Sequence, residues 1–266
     1  MSSDDENMRR LPIRPSNVEP LTARVLNRLA EHPAEARSMI LGGGFAMNHY
    51  LAPRMTFDVD TWWTKDSTND DRKAALEVLR EILPEVADEF GMAFSERANA
   101  SHEMISLELR DAERTFSYQI APHTIELDSP FVDESPWAPI PIETLRDNVA
   151  SKVNALVARG APRDFSDIHR VIDDGVMSVE EVWDLWSKKN PDQDVELAKA
   201  QVVKRIESIE LRRPLERLPE EHREQVASDR GWVRNVLAVP LALDMEREPA
   251  PDPPAPDLAD NDGFER

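Results

Sequence analysis

The sequence predicts a mixed α+β protein: a sheet domain, then a helical domain, then a disordered acidic tail. Three observations predict it. Between residues 38 and 128, short apolar runs of strand character alternate with segments of helical periodicity. After a proline-rich stretch at 130–141, four segments in a row show helical periodicity alone. From 241 onward, eight acids, two bases and five prolines leave too little apolar material to pack. The boundaries drawn from these changes are 1–17 for a flexible N-terminus, 18–135 for the sheet domain, 136–240 for the helical domain and 241–266 for the tail.

The elements follow in order. Residues 20–30 carry Leu21, Val25, Leu26 and Leu29 at helical spacing. Residues 38–41 form an apolar strand that runs into Gly42, Gly43 and Gly44, a tight turn, and 45–51 is helical. Residues 56–63 alternate Phe57 and Val59 with Thr56, Asp58 and Asp60, the pattern of a strand with one wet face. Residues 70–90 are helical, with Pro84 expected to break or kink the helix. Strands are expected at 104–109, 115–120 and 124–128. Helices are expected at 143–159, 165–173, 179–188 and 195–211.

Composition excludes several classes. There is no cysteine, which removes disulfides, thiolate nucleophiles, zinc fingers and iron–sulfur clusters. No apolar run reaches the 18 residues of a membrane span, and the polar start MSSDDENMRR is not followed by a secretory apolar segment. A cytoplasmic protein is the expectation. The formal net charge of −20 argues against broad non-specific binding to duplex DNA, which a basic surface drives.

The chemistry sits in a few carboxylates and their surroundings. Asp58 and Asp60 are two apart on a strand, so both project from one face. Such a pair repels itself unless a cation lies between, and Mg²⁺ accepts oxygen ligands while keeping positions for phosphate oxygens. For a lone D-x-D the plain alternative is a solvated strand face. The preceding strand–Gly43–Gly44–helix turn changes the balance. Glycines let a backbone approach phosphate closely, and a helix start offers free N–H groups. A third carboxylate would complete a metal platform; Asp128 is preferred, with Glu126 on the same predicted face close behind. Lys152 lies at the edge of an apolar helical stripe, where it either snorkels to water or points into a site. Arg54 is a further phosphate candidate. Asp164 is placed to cap the helix it opens, whereas Asp167, one turn on, has no such role.

These residues resemble a known family. Leu41-Gly-Gly-Gly-Phe45 followed by Arg54-Met-Thr-Phe-Asp58-Val-Asp60 resembles the opening motif of DNA polymerase β-like nucleotidyltransferases. The run from Glu143 through Lys152 and Arg159 to Arg163-Asp164-Phe-Ser-Asp167 resembles the second signature of the AbiEii/AbiGii toxin group. The resemblance spans roughly residues 21–175. It implies a nucleotidyltransferase fold followed by a helical domain, and the toxin of a toxin–antitoxin or abortive-infection system. It implies transfer of a nucleotide from an NTP, with Mg²⁺ or Mn²⁺, to an RNA such as the 3′ end of tRNA. Carried over by position, Gly43 and Gly44 would hold the triphosphate, with Arg54, Lys152, Arg163 and Asp164 as further nucleotide contacts. Asp58 and Asp60 would hold metal, and Asp164 or Asp167 would complete the catalytic set; Asp128 is added as the third carboxylate by its strand position, not by the resemblance. Phe45 departs from the small or hydroxyl residue that many such turns carry nearby. Trp62 or Trp63 is a candidate to stack on a base. The stretch 197–217, with six bases against three acids, is a candidate to touch RNA phosphates, a solvated charged helix being the plain alternative. The acidic tail could meet a basic partner such as a DNA-binding antitoxin. Rival readings are a non-catalytic nucleotide binder and a transferase acting on a protein hydroxyl.

Overall fold

The computed structural model describes residues 10–51, 56, 58–98, 104–122 and 125–238. Arg54 and the expected acidic tail lie outside them. The described N-terminal stretch 10–17 has no regular secondary structure. It is still anchored, because the Ile13 N–H donates to His49 O (2.8 Å) and Arg14 lies 3.9 Å above the Trp137 ring.

Helix α1 (Pro20–Ala30) opens on a proline at its first position and buries Leu21, Val25, Leu26 and Leu29. A short α2 (Pro33–Ala36) leads into β1 (Met39–Gly42), a five-residue α3 (Gly43–Met47) and β2 (Val59–Trp63). Then come α4 (Asn69–Phe90), β3 (Ala93–Ala98), β4 (Ile105–Arg110) and β5 (Thr115–Ala121). The five strands form one sheet in the order β1-β2-β5-β4-β3. Only β2 and β5 pair in parallel; their register sets Asp60 beside Gln119. β1 pairs antiparallel with β2, with Gly42 beside Asp60. The sheet therefore presents the glycine turn and the acid pair on neighbouring strand ends.

Three expectations in this half need correction. Pro84 does not break α4, which continues through it. Thr68 and Asp71 cap the start reciprocally, Gly91 in the left-handed region (φ 68°) ends the helix, and Leu79, Ile82, Leu83, Val86 and Ala87 are buried on both sides of the proline. Each large apolar side chain contributes about 1.5–3 kcal/mol by burial, enough together to offset the one backbone hydrogen bond a proline removes. Strand β3 was not expected at all; its sequence AFSERA is polar because it is the sheet's outer strand and pairs only with β4. The expected strand at 124–128 is a loop over its described residues 125–128. Its Leu127 and Asp128 N–H groups donate to the Asp147 carboxylate (2.9 and 3.0 Å) rather than to a neighbouring strand.

The proline-rich stretch is packed, not loose. Phe131, Trp137, Ile140 and Ile142 are buried, and Ile142 bridges to Leu41 at the free side of β1. The helical half follows with α5 (Leu145–Ala158), α6 (Pro162–Asp173), α7 (Val179–Lys189), α8 (Val195–Arg212), a single turn at Leu215–Arg217 and α9 (Glu220–Trp232), which widens into a last turn at Val233–Leu237. α5 is the hub: it packs against α3 and against α6, α7 and α8. Its first turn is pinned by Asp147, which accepts from Thr144 Oγ1 and pairs with the buried Lys189 Nζ at 3.1 Å. No helix among the described residues is long and apolar enough to cross a membrane.

Candidate active site

The glycine turn and the acid pair are shaped by one another. Gly43 has φ +60°, a conformation that favours glycine. A Cβ at Gly43 would overlap the Asp60 carboxylate and come within 2.7 Å of Asp60 Cβ and Cγ; one at Gly42 would overlap the Trp62 indole. Glycine is needed here because Asp60 lies directly on the turn.

Asp60 lines a cavity of about 130 Å³, together with Gly43, Thr61, Trp62, Met104, Gln119, Ala121, Ser151, Lys152, Ala155 and Arg159. Burial pushes its carboxyl above the ordinary value. Lys152 and Arg159 pull it back, and the charges of Asp58 and Asp164 push it further up. Several acids and two cations therefore share one field. The mutual repulsion of Asp58 and Asp60 is what a bound cation would relieve. Magnesium is commonly held by one or two carboxylates, with substrate phosphates and water completing its shell. The oxygen donors of Asp58 and Asp60 fit that ion; among the described residues no larger group of His, Asp or Glu gathers to form a closed metal cage.

Lys152 does not snorkel. Its Nζ lies 2.9 Å from Asp167 Oδ2 and 3.4 Å from Asp164 Oδ1, and all three side chains are buried. Two carboxylates thus hold one ammonium in the cavity wall. The expected cap role of Asp164 is not what the structure shows. Ala161 is the cap residue of α6 and Pro162 its first position. The Asp164 carboxylate is taken by Lys152 and by Arg159, whose Nε donates to Oδ2 at 3.1 Å. Arg159 keeps 66% of its side chain exposed, so its guanidinium stands at the cavity's wet edge.

Other expected residues lie elsewhere. Asp128 and Glu126 line a second, small cavity with Trp62, Glu143, Asp147 and Lys189. Asp128 pairs with Arg146 at 3.5 Å. Neither acid is among the residues around Asp60. Arg163 is exposed on the first turn of α6 and is not among them either. Trp63 is buried, whereas Trp62 is half-buried and borders both cavities.

Four side chains of the site were not singled out from sequence for any role there. Arg159 was visible only as part of the second signature. Gln119 becomes a neighbour of Asp60 only through the parallel β2–β5 register. Glu143 and Asn148 reach the glycine turn from 100 and 105 residues away. The fully buried Glu143 carboxylate accepts from the Gly43 N–H (3.2 Å) and from Trp62 Nε1 (3.0 Å). Burial pushes it up to about 7, against the pull of Lys189 and of the Trp62 and Asn148 hydrogen bonds. An acid just before a helix reads in sequence as a solvated helix start, and nothing local marks it as buried.

A family model described as "Nucleotidyl transferase AbiEii toxin, Type IV TA system" matches residues 24–235. No curated protein matches the chain.

Proposed function

The chain belongs to the AbiEii family of nucleotidyl transferase toxins of type IV toxin–antitoxin systems, and we propose that it moves a nucleotide from an NTP onto an RNA acceptor such as the 3′ end of tRNA. The observation that carries this reading is the single cavity in which the Gly43 turn, Asp60, Lys152 and Arg159 meet. It joins both sequence signatures, more than 80 residues apart, at one opening.

In this reading Asp58 and Asp60 would hold Mg²⁺ or Mn²⁺, and the bound ion would supply polarisation of the α-phosphate and screening of the triphosphate charge. Gly43 and Gly44 give the triphosphate room against the sheet, since neither adds a side chain at the turn. Arg159 offers its exposed guanidinium to phosphate oxygens, a geometry suited to bidentate contact. Lys152 sits deeper, its charge aimed at the cavity and its position set by Asp164 and Asp167. An acceptor hydroxyl oxygen forms the new bond to the α-phosphorus. The bond from that phosphorus to the β-phosphate's bridging oxygen breaks, pyrophosphate leaves, and the hydroxyl proton passes to water. Asp128 is left out of the metal set, because it is engaged by Arg146 beside the other cavity. The family's type IV assignment supports an antitoxin partner, read here as a DNA-binding protein.

The test is incubation with each α-labelled NTP, Mg²⁺, and either total tRNA or lysate protein. Label in tRNA, lost in a folded Asp58→Ala variant, is the expected result. Label in protein would move the acceptor to a protein hydroxyl. No label in either pool would leave a nucleotide binder and overturn the transferase reading.

A further inference from the structure

We propose that Glu143 and Asn148 are positioning residues that clamp the Gly43 peptide, and through it set Asp60 and the Trp62 wall of the cavity in the shape that receives the nucleotide. The inference rests on the nucleotidyl-transfer reading above. It gives a role to two residues that lie within the run of the second signature but carry no assignment there.

The clamp closes on both sides of one residue, gripping the two peptide units that flank the Gly43 Cα. Glu143 Oε1 accepts from the Gly43 N–H at 3.2 Å, and Asn148 Nδ2 donates to Gly43 O at 2.8 Å. The two side chains are themselves joined, because the same Asn148 amide donates to Glu143 Oε1. Glu143 Oε2 accepts from the Trp62 indole N–H at 3.0 Å, which fixes the ring that borders the cavity two residues after Asp60. Gly43 in turn carries Asp60 directly against its Cα. Any drift of the glycine peptide therefore moves the carboxylate and the indole together.

The backbone of Glu143 is held as firmly as its side chain. Its N–H donates to Leu41 O at 3.0 Å, and its carbonyl accepts from Tyr50 Oη at 2.7 Å. The segment is thus an added rung on β1, and the carboxylate is delivered from a fixed base.

The arrangement is costly. The Glu143 carboxylate is buried, which disfavours its charged form even against the pull of Lys189 and of its hydrogen-bond donors. Asn148 spends its amide on the clamp while its Oδ1 is buried with no hydrogen-bond partner. Costs of this kind persist where the geometry they impose is used. One consequence is specific: the Gly43 N–H is committed to Glu143, so this amide shapes the turn and is not itself a phosphate donor.

The test compares wild type with Glu143→Gln and Asn148→Ala. Transfer is followed with each labelled NTP and tRNA, and binding of each unlabelled NTP with Mg²⁺ is measured without acceptor. The clamp predicts an NTP KM and Kd raised about tenfold or more in both variants, with kcat changed far less, the pattern of lost ground-state positioning. It also predicts slow exchange of the Gly43 amide in wild type and faster exchange in both variants. A merely structural role would lower Tm and leave KM and Kd unchanged. If Glu143→Gln does not fold, Asn148→Ala, which leaves the carboxylate in place, decides the matter. Transfer by wild type with unchanged KM and Kd in the variants would overturn the clamp alone. Absence of both transfer and binding in wild type would overturn the transferase reading, and the clamp with it.

Discussion

Asp60 shows most directly how this site stores unfavourable energy in single residues. Burial and two neighbouring acids push its carboxyl upward, so the charged form that would bind a cation is disfavoured in the folded chain. Removing that charge relieves the fold. Asp60→Asn is expected to raise Tm at pH 7, by a margin a calorimetric scan can read, a stability gain at a functional residue; a lowered Tm would contradict it. Glu143 adds a pH dependence. Its ordinary value is 4.5 and burial lifts it to about 7. Between those values the folded chain keeps a proton that the unfolded chain has lost. Stability therefore falls as pH rises through about 4.5 to 7, and this contribution levels off above 7. Glu143→Gln should flatten that slope in urea titrations across the window; an unchanged slope would show that Glu143 does not titrate there. The D-x-D pair and the glycine turn were legible in sequence because spacing along a strand fixes their relation. Glu143 was not, because its partners are set by a chain reversal a hundred residues long.

At the scale of elements, helix periodicity carried well and strand patterning carried less. Residues 20–30 and the four helices expected in the second half match their apolar spacing, since each buries one stripe on a neighbour; α9 (Glu220–Trp232), largely polar, was not expected. Two failures share one cause, which is tertiary contact overriding local pattern. Pro84 is tolerated because α4 is buried on both sides of it, and 125–128 is a loop because Asp147 takes its N–H groups. That aspartate joins the loop, the start of α5 and the end of α7 through Lys189. Asp147→Ala should leave Lys189 buried without its carboxylate and cost about 3–5 kcal/mol in urea unfolding, while Asp147→Ala with Lys189→Met recovers much of the loss. Simple additivity of the two single changes would contradict the proposed coupling.

The whole molecule places a compact cationic pair inside a chain of net charge −20. Such a charge does not favour tight, general binding of RNA, and steering must come from local bases. Lys204, Arg212, Arg213 and Arg217 are exposed on α8 and the turn that follows it. Changing these four to Gln should raise KM for the tRNA acceptor at moderate salt and leave KM for the NTP unaltered; an equal effect on both would place them at the nucleotide instead. Fold class and family were legible in the sequence. That the glycine turn, the acids and Lys152 share one pocket was expected as well; the means was not, because it depends on α5 packing back against the glycine turn through α3.

The central claim is that Asp58 and Asp60 carry nucleotidyl transfer. The most direct measurement is label transfer from NTP to tRNA by wild type and Asp60→Asn side by side, with circular dichroism confirming that both are folded. The account predicts labelled tRNA for wild type and a loss of at least about 100-fold for the variant. A folded Asp60→Asn that labels tRNA as fast as wild type would contradict it.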